Sequence, residues 1–197
     1  MGNREDLLAA ALECLRTKGY ARTTARDITE IAGTSLAAIG YHYGGVRNLL
    51  NQAVFTSIGQ WSDQVQERLR ADADPEQRYL ERFADVWQRT VEAISEDRAL
   101  WAASIDMMAQ VDHVPEIRDM LRQGMRDART GTVAMFDAVD ENTVGEEQAR
   151  TVGALYYAMQ VGVVIQWLLD PDNAPTADDL VAGLRAITKQ ATEHDRC

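Results

Sequence analysis

Apolar residues recur at helical spacing along most of the chain, and no segment alternates apolar and polar positions convincingly at a period of two. In the first stretch, Leu8, Leu12 and Leu15 fall on one face of a helical projection. Residues 4–18 are therefore predicted to form an amphipathic helix that stops at Gly19. The same periodicity continues toward the end of the chain and predicts an all-α protein of about nine helices.

Two short helices follow the first one, and polar or small residues mark their ends. Thr24 with Asp27 is a variant of the capping box, with Asp where Glu is usual, and it starts a helix that ends at Ala32. Gly33 suits the left-handed residue that follows a helix. A second short helix is predicted over residues 35–43, before a pair of glycines. Two short helices joined by a tight turn have the proportions of a helix-turn-helix motif.

Six longer helices are predicted from the remaining periodicity and its capping signals. Their ranges are 46–71, 76–94, 96–110, 116–138, 144–169 and 177–193. The expected start signals are Asp74–Pro75 for 76–94, Ser95 for 96–110, Pro115 for 116–138, Thr143 with Glu146 for 144–169, and Thr176 with Asp179 for 177–193.

Residues 152–169 contain no charged side chain, and their length approaches that of a membrane span. Gln160 and Gln166 are costly in hydrocarbon and the segment stands alone, so we interpret it as a helix of a soluble protein and expect no membrane. A helix that is apolar all round must cover both of its faces. One face can pack on the protein's own core, and a second copy of the chain is the partner predicted for the other.

Charge is distributed unevenly between the start of the chain and the rest. The net charge of −11 by itself argues against nucleic acid. The first fifty residues, however, carry a net charge of +1 and the remainder −12, so the acidity belongs to the long C-terminal part. Nothing after Met1 resembles a signal peptide, and we expect a cytoplasmic protein.

The segment TSLAAIGYHYGGVRNLL, residues 34–50, places Tyr41, His42 and Tyr43 in a row after small side chains. In a helix-turn-helix motif the second helix enters the major groove of DNA, and small residues let its backbone approach the groove floor. Tyr41 and His42 can donate hydrogen bonds to phosphate oxygens without a formal charge, and exposed backbone N–H groups at helix starts can do the same. Arg47, in the first turn of the next helix, opposes the local helix dipole and so favours a nearby anion.

The run GY-x-x-TTARDITEIAG-x-S-x-x-x-IGYHYGG-x-x-x-LL, residues 19–50, resembles the N-terminal DNA-binding domain of TetR-family transcriptional regulators. The resemblance implies a helix-turn-helix DNA-binding domain at residues 1–47 and a helical ligand-binding and dimerisation domain at residues 48–197. It implies a repressor that a small-molecule effector releases from a double-stranded DNA operator. It also implies a homodimer that forms through the last two helices, 144–169 and 177–193.

Three positions depart from the family pattern. Gly40 stands where many members have tyrosine, Tyr43 where phenylalanine is usual, and Val46 where a lysine that binds phosphate is usual. We expect Tyr41 to take over the role of the missing phenol. Arg47, one position after Val46, is the candidate replacement for the lysine, although it points to a different side of the helix.

The DNA contacts predicted from the motif and the resemblance are Thr24, Arg26, Ser35, Leu36, Ala37, Ala38, Tyr41, His42 and Arg47. The recognition helix lacks Arg, Asn and Gln, the side chains that pair bidentately with bases. Its specificity is therefore expected to depend on methyl contacts, on Arg22 or Arg26 nearby, and on DNA shape. Ile28, Ile31 and Ile39 are expected in the core of the three-helix unit.

For the effector, Trp87, Trp101, Met108 and Met125 are predicted to line a cavity for an apolar or aromatic molecule. No cofactor and no metal site are expected, because the histidines are scattered and neither cysteine has a metal-ligand partner at useful spacing. With no glycine-rich phosphate loop either, the sequence argues against an enzyme. One alternative stays open, a helical ligand-binding or protein-interaction module with a degenerate DNA-binding domain, which Val46 and the uncharged recognition helix favour.

Overall fold

The computed structural model describes residues 3–71, 78–109, 111 and 115–194, and within these ranges the chain forms nine α-helices and no strand. The helices are α1 Asn3–Lys18, α2 Ala25–Ala32, α3 Leu36–Tyr43, α4 Val46–Ala71, α5 Tyr79–Glu96, α6 Arg98–Met108, α7 Pro115–Asp137, α8 Glu146–Leu169 and α9 Ala177–His194. Single 3-10 turns lie at Tyr20–Arg22 and Glu141–Thr143. The predicted all-α class and the order of the helices are confirmed.

The predicted start of α9 is also confirmed by its hydrogen bonds. The Thr176 N–H donates to Asp179 Oδ2 at 3.0 Å, and the Asp179 N–H donates back to Thr176 Oγ1 at 3.2 Å. This reciprocal pair satisfies two backbone donors that a helix start leaves without intrahelical acceptors. Pro115 begins α7 as expected. The predicted signal Asp74–Pro75 lies outside the described residues.

Two predicted caps are wrong. Ser95 lies inside α5, where its hydroxyl donates to the Val91 carbonyl oxygen at 3.0 Å. Asp97 caps α6 in its place and accepts the Leu100 N–H at 3.2 Å. Thr143 does not cap α8, because its hydroxyl donates to the Asp140 carbonyl oxygen at 2.6 Å within a 3-10 turn. In both cases the hydroxyl bonds to a carbonyl three or four residues earlier, which removes it from the cap position.

Packing divides the chain into two compact units. The first unit consists of Met1–Asp63 with Asp97–Met125, and the second of Gln64–Glu96 with Arg126–Cys197. The predicted division at residues 47 and 48 separates regions by role rather than by packing, and it stays a prediction.

The first unit has a core that α1 to α4 share with α6 and the start of α7. Its buried side chains include Leu7, Leu15, Ile28, Ile39, Leu49, Val54, Leu100, Met107 and Ile117. Arg16 on α1 also forms a 2.7 Å ion pair with Asp97, the residue that caps α6. The helix-turn-helix elements are therefore supported by helices from two distant parts of the sequence.

The second unit is built around a cluster of aromatic rings. Phe83, Trp87, Phe136 and Tyr156 form ring contacts with centroid separations between 4.3 and 6.0 Å. The buried Arg82 donates from Nε to the Met135 carbonyl oxygen at 2.9 Å, so its guanidinium joins α5 to α7. Helix α9 packs against α5 in the same unit.

Helix α8 crosses α7 at a glycine. A π-helical turn spans Ala149–Gly153, and a Cβ atom at Gly153 would lie 2.4 Å from the Arg129 carbonyl oxygen of α7. Gly153 therefore lets two backbones touch within one chain. A Cβ atom at Gly162, further along α8, would meet no atom within 4 Å in the part of the chain that the structure describes.

Much of the apolar surface of α8 is not covered by its own chain. By length and composition α8 is the one helix of the described ranges that could cross a membrane, with a mean hydropathy of 1.5, and a single such helix is weak evidence of a span. Only 22 % of its apolar window is buried within the chain. The exposed apolar side chains here are Val152, Leu155, Ile165 and Leu169 on α8, and Ile187 on α9.

Candidate nucleic-acid interface

The start of α2 is held by a capping box that α1 reinforces. The Thr24 N–H donates to Asp27 Oδ2 at 2.9 Å and the Asp27 N–H to Thr24 Oγ1 at 3.3 Å, which confirms the predicted cap. Lys18, the last residue of α1, donates from Nζ to Asp27 Oδ1 at 2.5 Å. This hydrogen bond, together with those from Thr24, lowers the pKa of Asp27 to about 2. The entry of the chain into α2 is thus fixed from two sides.

Glycines in the left-handed conformation lie on both sides of α3, the predicted recognition helix, at Gly33 before it and Gly44 after it. Gly33 ends α2 at φ 62° and ψ 33°, as predicted, and its N–H donates to the Thr29 carbonyl oxygen. Gly44 ends α3 at φ 71° and ψ 0°. Side chains with a Cβ adopt these angles only at a cost, so the two glycines make the sharp turns possible. Ser35, just before α3, makes no side-chain cap hydrogen bond.

Helix α3 buries one side and exposes the other. Ile39 is 2 % exposed and anchors α3 in the core of the first unit. Leu36 is 60 % exposed and Tyr41 is 87 % exposed, and both Ala37 and Gly40 are exposed between them. Ala38 and His42 flank this face and are half-buried. Three of the predicted DNA contacts, Leu36, Ala37 and Tyr41, thus share one solvent-facing surface with Gly40.

The three aromatic residues at the end of α3 differ in their surroundings. Tyr43 is half-buried, its hydroxyl donates to the Arg4 carbonyl oxygen at 2.6 Å, and the Arg4 guanidinium lies over its ring. The Tyr41 and His42 rings meet edge-on, with centroids 4.9 Å apart. Tyr43 therefore ties α3 to α1, whereas Tyr41 and His42 are held near each other at the surface.

The other predicted DNA contacts lie on the same DNA-binding head, formed by α1 to α3 and the start of α4, and one residue predicted for the core of this head is exposed. Thr24, Arg26 and Arg47 are exposed, while Val46 is half-buried against the core. Ile31 was expected in the core but is 46 % exposed, because the buried side of α2 is taken by Ile28 and its flanking residues.

Sequence reasoning missed a polar contact behind this surface. The Tyr20 hydroxyl donates to Asn51 Oδ1 at 2.5 Å, joining the turn before α2 to α4. Asn51 is only 2 % exposed, and its Nδ2 has no hydrogen-bond partner among the described residues. The available signal was the pair of amides, Asn51 and Gln52, within the otherwise apolar sequence LLNQAVF, residues 49–55.

The predicted effector residues fall into both units. Trp101, Met108 and Met125 belong to the first unit, where Trp101 meets the edge of Trp61 at 5.0 Å. Trp87 belongs to the second unit and is fully buried among aromatic rings, and its Nε1 has no acceptor among the described residues. These four residues stay predictions.

The second unit also has a polar cavity of about 380 Å³, which none of the predicted effector residues lines. Its walls are Asp127, Thr130, Asp140, Glu141 and Asn142. No group of three or more His, Cys, Asp and Glu side chains suited to a metal ion occurs among the residues that the structure describes.

Two family models match the chain. Residues 7–53 match the N-terminal model of the tetR family of bacterial regulatory proteins, and residues 78–189 match the tetracyclin repressor-like C-terminal domain. The chain therefore belongs to the TetR family of transcriptional regulators. As a family member it is a ligand-responsive, DNA-binding transcriptional regulator, and the predicted family is confirmed.

Relatives and solved structures agree with this assignment over most of the chain. The HTH-type transcriptional regulator TtgR of Pseudomonas putida is 25 % identical over 189 residues, which cover 90 % of this chain and 85 % of that protein. The multidrug binding protein EbrR, solved with imidazole, has a TM-score of 0.65 at 18 % identity and covers 92 % of this chain and 88 % of its own. A regulator from Saccharomonospora viridis, solved with choline, has a TM-score of 0.65 at 20 % identity. The match covers 94 % of this chain and 95 % of that protein's chain.

Proposed function

We propose that this regulator is a homodimeric repressor that binds its operator through α3 and leaves it when a small organic molecule binds. The observation that supports this most is the exposed face of α3, which joins Leu36, Ala37, Gly40 and Tyr41 at the surface of a helix-turn-helix of the matched family. Apolar and aromatic groups exposed to this extent on a small rigid head favour a partner surface.

In this proposal some residues around α3 bind the DNA backbone, and others contact the bases. Tyr41 and His42 donate hydrogen bonds to phosphate oxygens. Thr24, whose hydroxyl donates to Asp27 Oδ2 at 2.7 Å, lies beside the phosphate at the start of α2, where the backbone N–H groups of the first helical turn donate. Arg26 and Arg47 are both exposed and supply positive charge to the phosphates. The net charge of the first fifty residues is near zero, so the surrounding head does not repel DNA as the acidic remainder of the chain would. Such contacts set the register of the protein on DNA and leave base recognition to α3.

The test separates neutral contacts from charged ones by their response to salt. Affinity for duplex DNA from the protein's own upstream region is measured by fluorescence anisotropy between about 50 and 200 mM salt. Tyr41→Phe, which removes only a hydroxyl, should weaken binding about tenfold on any DNA sequence without changing the slope of log affinity against log salt. Arg47→Ala should reduce that slope by about one for each phosphate that the guanidinium neutralises in the wild type.

Tyr79→Phe is the matched control, because Tyr79 is also exposed but lies on α5 in the second unit. It should leave DNA affinity unchanged. Unchanged affinity in Tyr41→Phe would refute the phosphate contact, and a protein that binds no duplex at low salt would support the degenerate-domain alternative.

The dimer is proposed to form through α8 and α9. Support comes from the apolar side chains that one chain leaves uncovered, Leu155 at 59 % and Ile187 at 66 % exposure among them. Another copy of the chain is the simplest cover for such a face. Leu155→Asp should convert the dimer to a monomer in sedimentation velocity, whereas Leu36→Asp, an equally exposed leucine of α3, should leave it dimeric. A dimeric Leu155→Asp protein would exclude this face.

The effector is proposed to be a small apolar or aromatic molecule that binds in the C-terminal part of the chain. The related structures with imidazole and choline are consistent with a fold that accepts small organic molecules. The Trp87 indole N–H, buried without an acceptor among the described residues, is a donor that such a molecule could satisfy. Trp101, Met108 and Met125, which belong to the first unit, stay predictions.

Release from DNA requires that the effector favour one conformation over another. A dimer must hold two recognition helices about 34–36 Å apart, or a further turn of DNA apart, to occupy successive major grooves. Only Gly44 and Gly45 separate α3 from α4, so a movement of α4 would be passed directly to the recognition helix. A coupling of about 1–3 kcal/mol would change operator affinity roughly 5- to 150-fold. Imidazole and choline are the first probes, and each is added to the protein–DNA complex to test for release. The Trp87→Phe variant removes the indole N–H donor and tests whether release depends on it.

A further inference from the structure

We propose that α3 reads its operator through the methyl groups of thymine rather than through hydrogen bonds to base edges, with Leu36 as the main reading side chain. The inference rests on the proposed DNA-binding function and specifies what that function recognises.

The exposed face of α3 carries almost no hydrogen-bonding side chain. At helical spacing, Leu36, Gly40, Ala37 and Tyr41 occupy a contiguous arc of about 140° in that order. All four are exposed, whereas Ile39 on the opposite side is buried. The only polar side-chain atom of the arc is the Tyr41 hydroxyl, at the C-terminal end of the helix. The face therefore lacks the amide and guanidinium groups that identify adenine and guanine.

Position along the helix assigns different tasks to the two large side chains. In helix-turn-helix proteins the N-terminal residues of the recognition helix contact base edges. Leu36 is the first residue of α3, and it is 60 % exposed. Its side chain is not part of the buried core cluster, so it is available for a contact outside the chain. Tyr41 lies at the other end and suits the DNA backbone.

Because Gly40 and Ala37 have small side chains or none, the backbone of α3 can come close to the base edges in the major groove. A Cβ atom at Gly40 would meet no atom of the described residues within 4 Å, and its backbone has no left-handed angle, so no described part of the chain requires glycine there. Beside Gly40 and Ala37, Leu36 projects furthest. In the major groove only thymine among the unmodified bases presents a methyl group, and apolar side chains recognise that group by contact.

The experiment removes single methyl groups from DNA. Duplexes are first selected by the protein from a randomised pool, and each thymine of the selected sequence is then replaced by deoxyuridine, which keeps every hydrogen-bonding atom. At one or more thymines of each half-site, the replacement should weaken binding about fourfold, the fold-change expected for one buried methyl-sized group. Thymines outside the half-sites should show no change.

A double-mutant cycle identifies the side chain responsible. With Leu36→Ala, deoxyuridine at the sensitive position should cost nothing further, because the methyl group no longer has its partner. Ile31→Ala is the matched control, since Ile31 is an exposed apolar residue of the same head on α2, and it should keep the fourfold penalty. Both changes lie at exposed positions, and thermal unfolding checks that the variants fold.

The outcomes separate this inference from the proposed function. Sequence-selective binding that is insensitive to deoxyuridine at every thymine, or a full penalty that persists in Leu36→Ala, would overturn methyl reading and leave DNA binding intact. Loss of the penalty in Ile31→Ala alone would place the reading on α2 and equally overturn it. If no duplex is enriched from the pool, the proposed DNA-binding function itself fails, and the inference fails with it.

Discussion

The close crossing of α7 and α8 makes a sharp prediction about stability. In Gly153→Ala the new methyl group would lie 2.4 Å from the Arg129 carbonyl oxygen, 3.0 Å from its carbonyl carbon and 3.1 Å from Val133 Cγ2. The first two atoms are backbone inside α7, so they cannot swing aside, and the helices must separate by close to 1 Å to restore ordinary contact. Overpacking of this kind costs about 1–3 kcal/mol.

Helix propensity works in the opposite direction and must be subtracted. Alanine is favoured over glycine in a helix by about 1 kcal/mol, so the net destabilisation expected for Gly153→Ala is up to about 2 kcal/mol. For a chain of this length, 2 kcal/mol corresponds to a decrease in Tm of about 4–8 °C. Thermal unfolding followed by circular dichroism measures the change, at one fixed protein concentration because a dimer gains stability by mass action.

Gly59→Ala is the matched control, because Gly59 lies on the exposed side of α4 and a Cβ atom added there would meet no described residue within 4 Å. It should gain roughly 0.5–1 kcal/mol from helix propensity alone. If Gly153→Ala gained stability as Gly59→Ala does, the close backbone contact between α7 and α8 would be refuted.

Three further changes test the DNA-binding head. Tyr20→Phe removes the donor to the buried Asn51 and should cost about 1–3 kcal/mol in urea unfolding, and a change within about 0.5 kcal/mol would contradict the contact. The pKa of Asp27 falls from its ordinary 3.8 to about 2 on folding, so its ionised form stabilises the fold above pH 3.8 and that contribution is lost as the pH falls toward 2. Asp27→Asn should therefore lose less stability than the wild type over this window, and parallel acid-unfolding curves would refute the pairing. Val46→Lys should raise DNA affinity and steepen its salt dependence by about 0.9 per phosphate reached, and an unchanged slope would place position 46 away from the backbone.

Local signals in the sequence were sufficient for the helical class, the order of the helices and the design of the head. The Thr24–Asp27 box and the glycines after α2 and α3 act within a few residues of themselves, so their effect can be read without knowledge of the remaining chain. The same holds for the exposed recognition segment, which was identified from its spacing and its resemblance to a family. Local reading was wrong where one side chain had two nearby options, as for Ser95 and Thr143, whose hydroxyls bond to earlier carbonyls instead of capping.

Only the tertiary structure decided which distant residues meet. The pairing of Arg16 with Asp97 and of Tyr20 with Asn51 joins positions whose sequence spacing carries no signal, because contacts across helices depend on how the chain packs. The same applies to Gly153, whose need for a glycine comes from the Arg129 backbone of another helix rather than from a turn. Exposure was also decided at this level: Ile28 and Ile31 look alike in a helical pattern, yet only the packed core determines that one is buried and the other faces solvent.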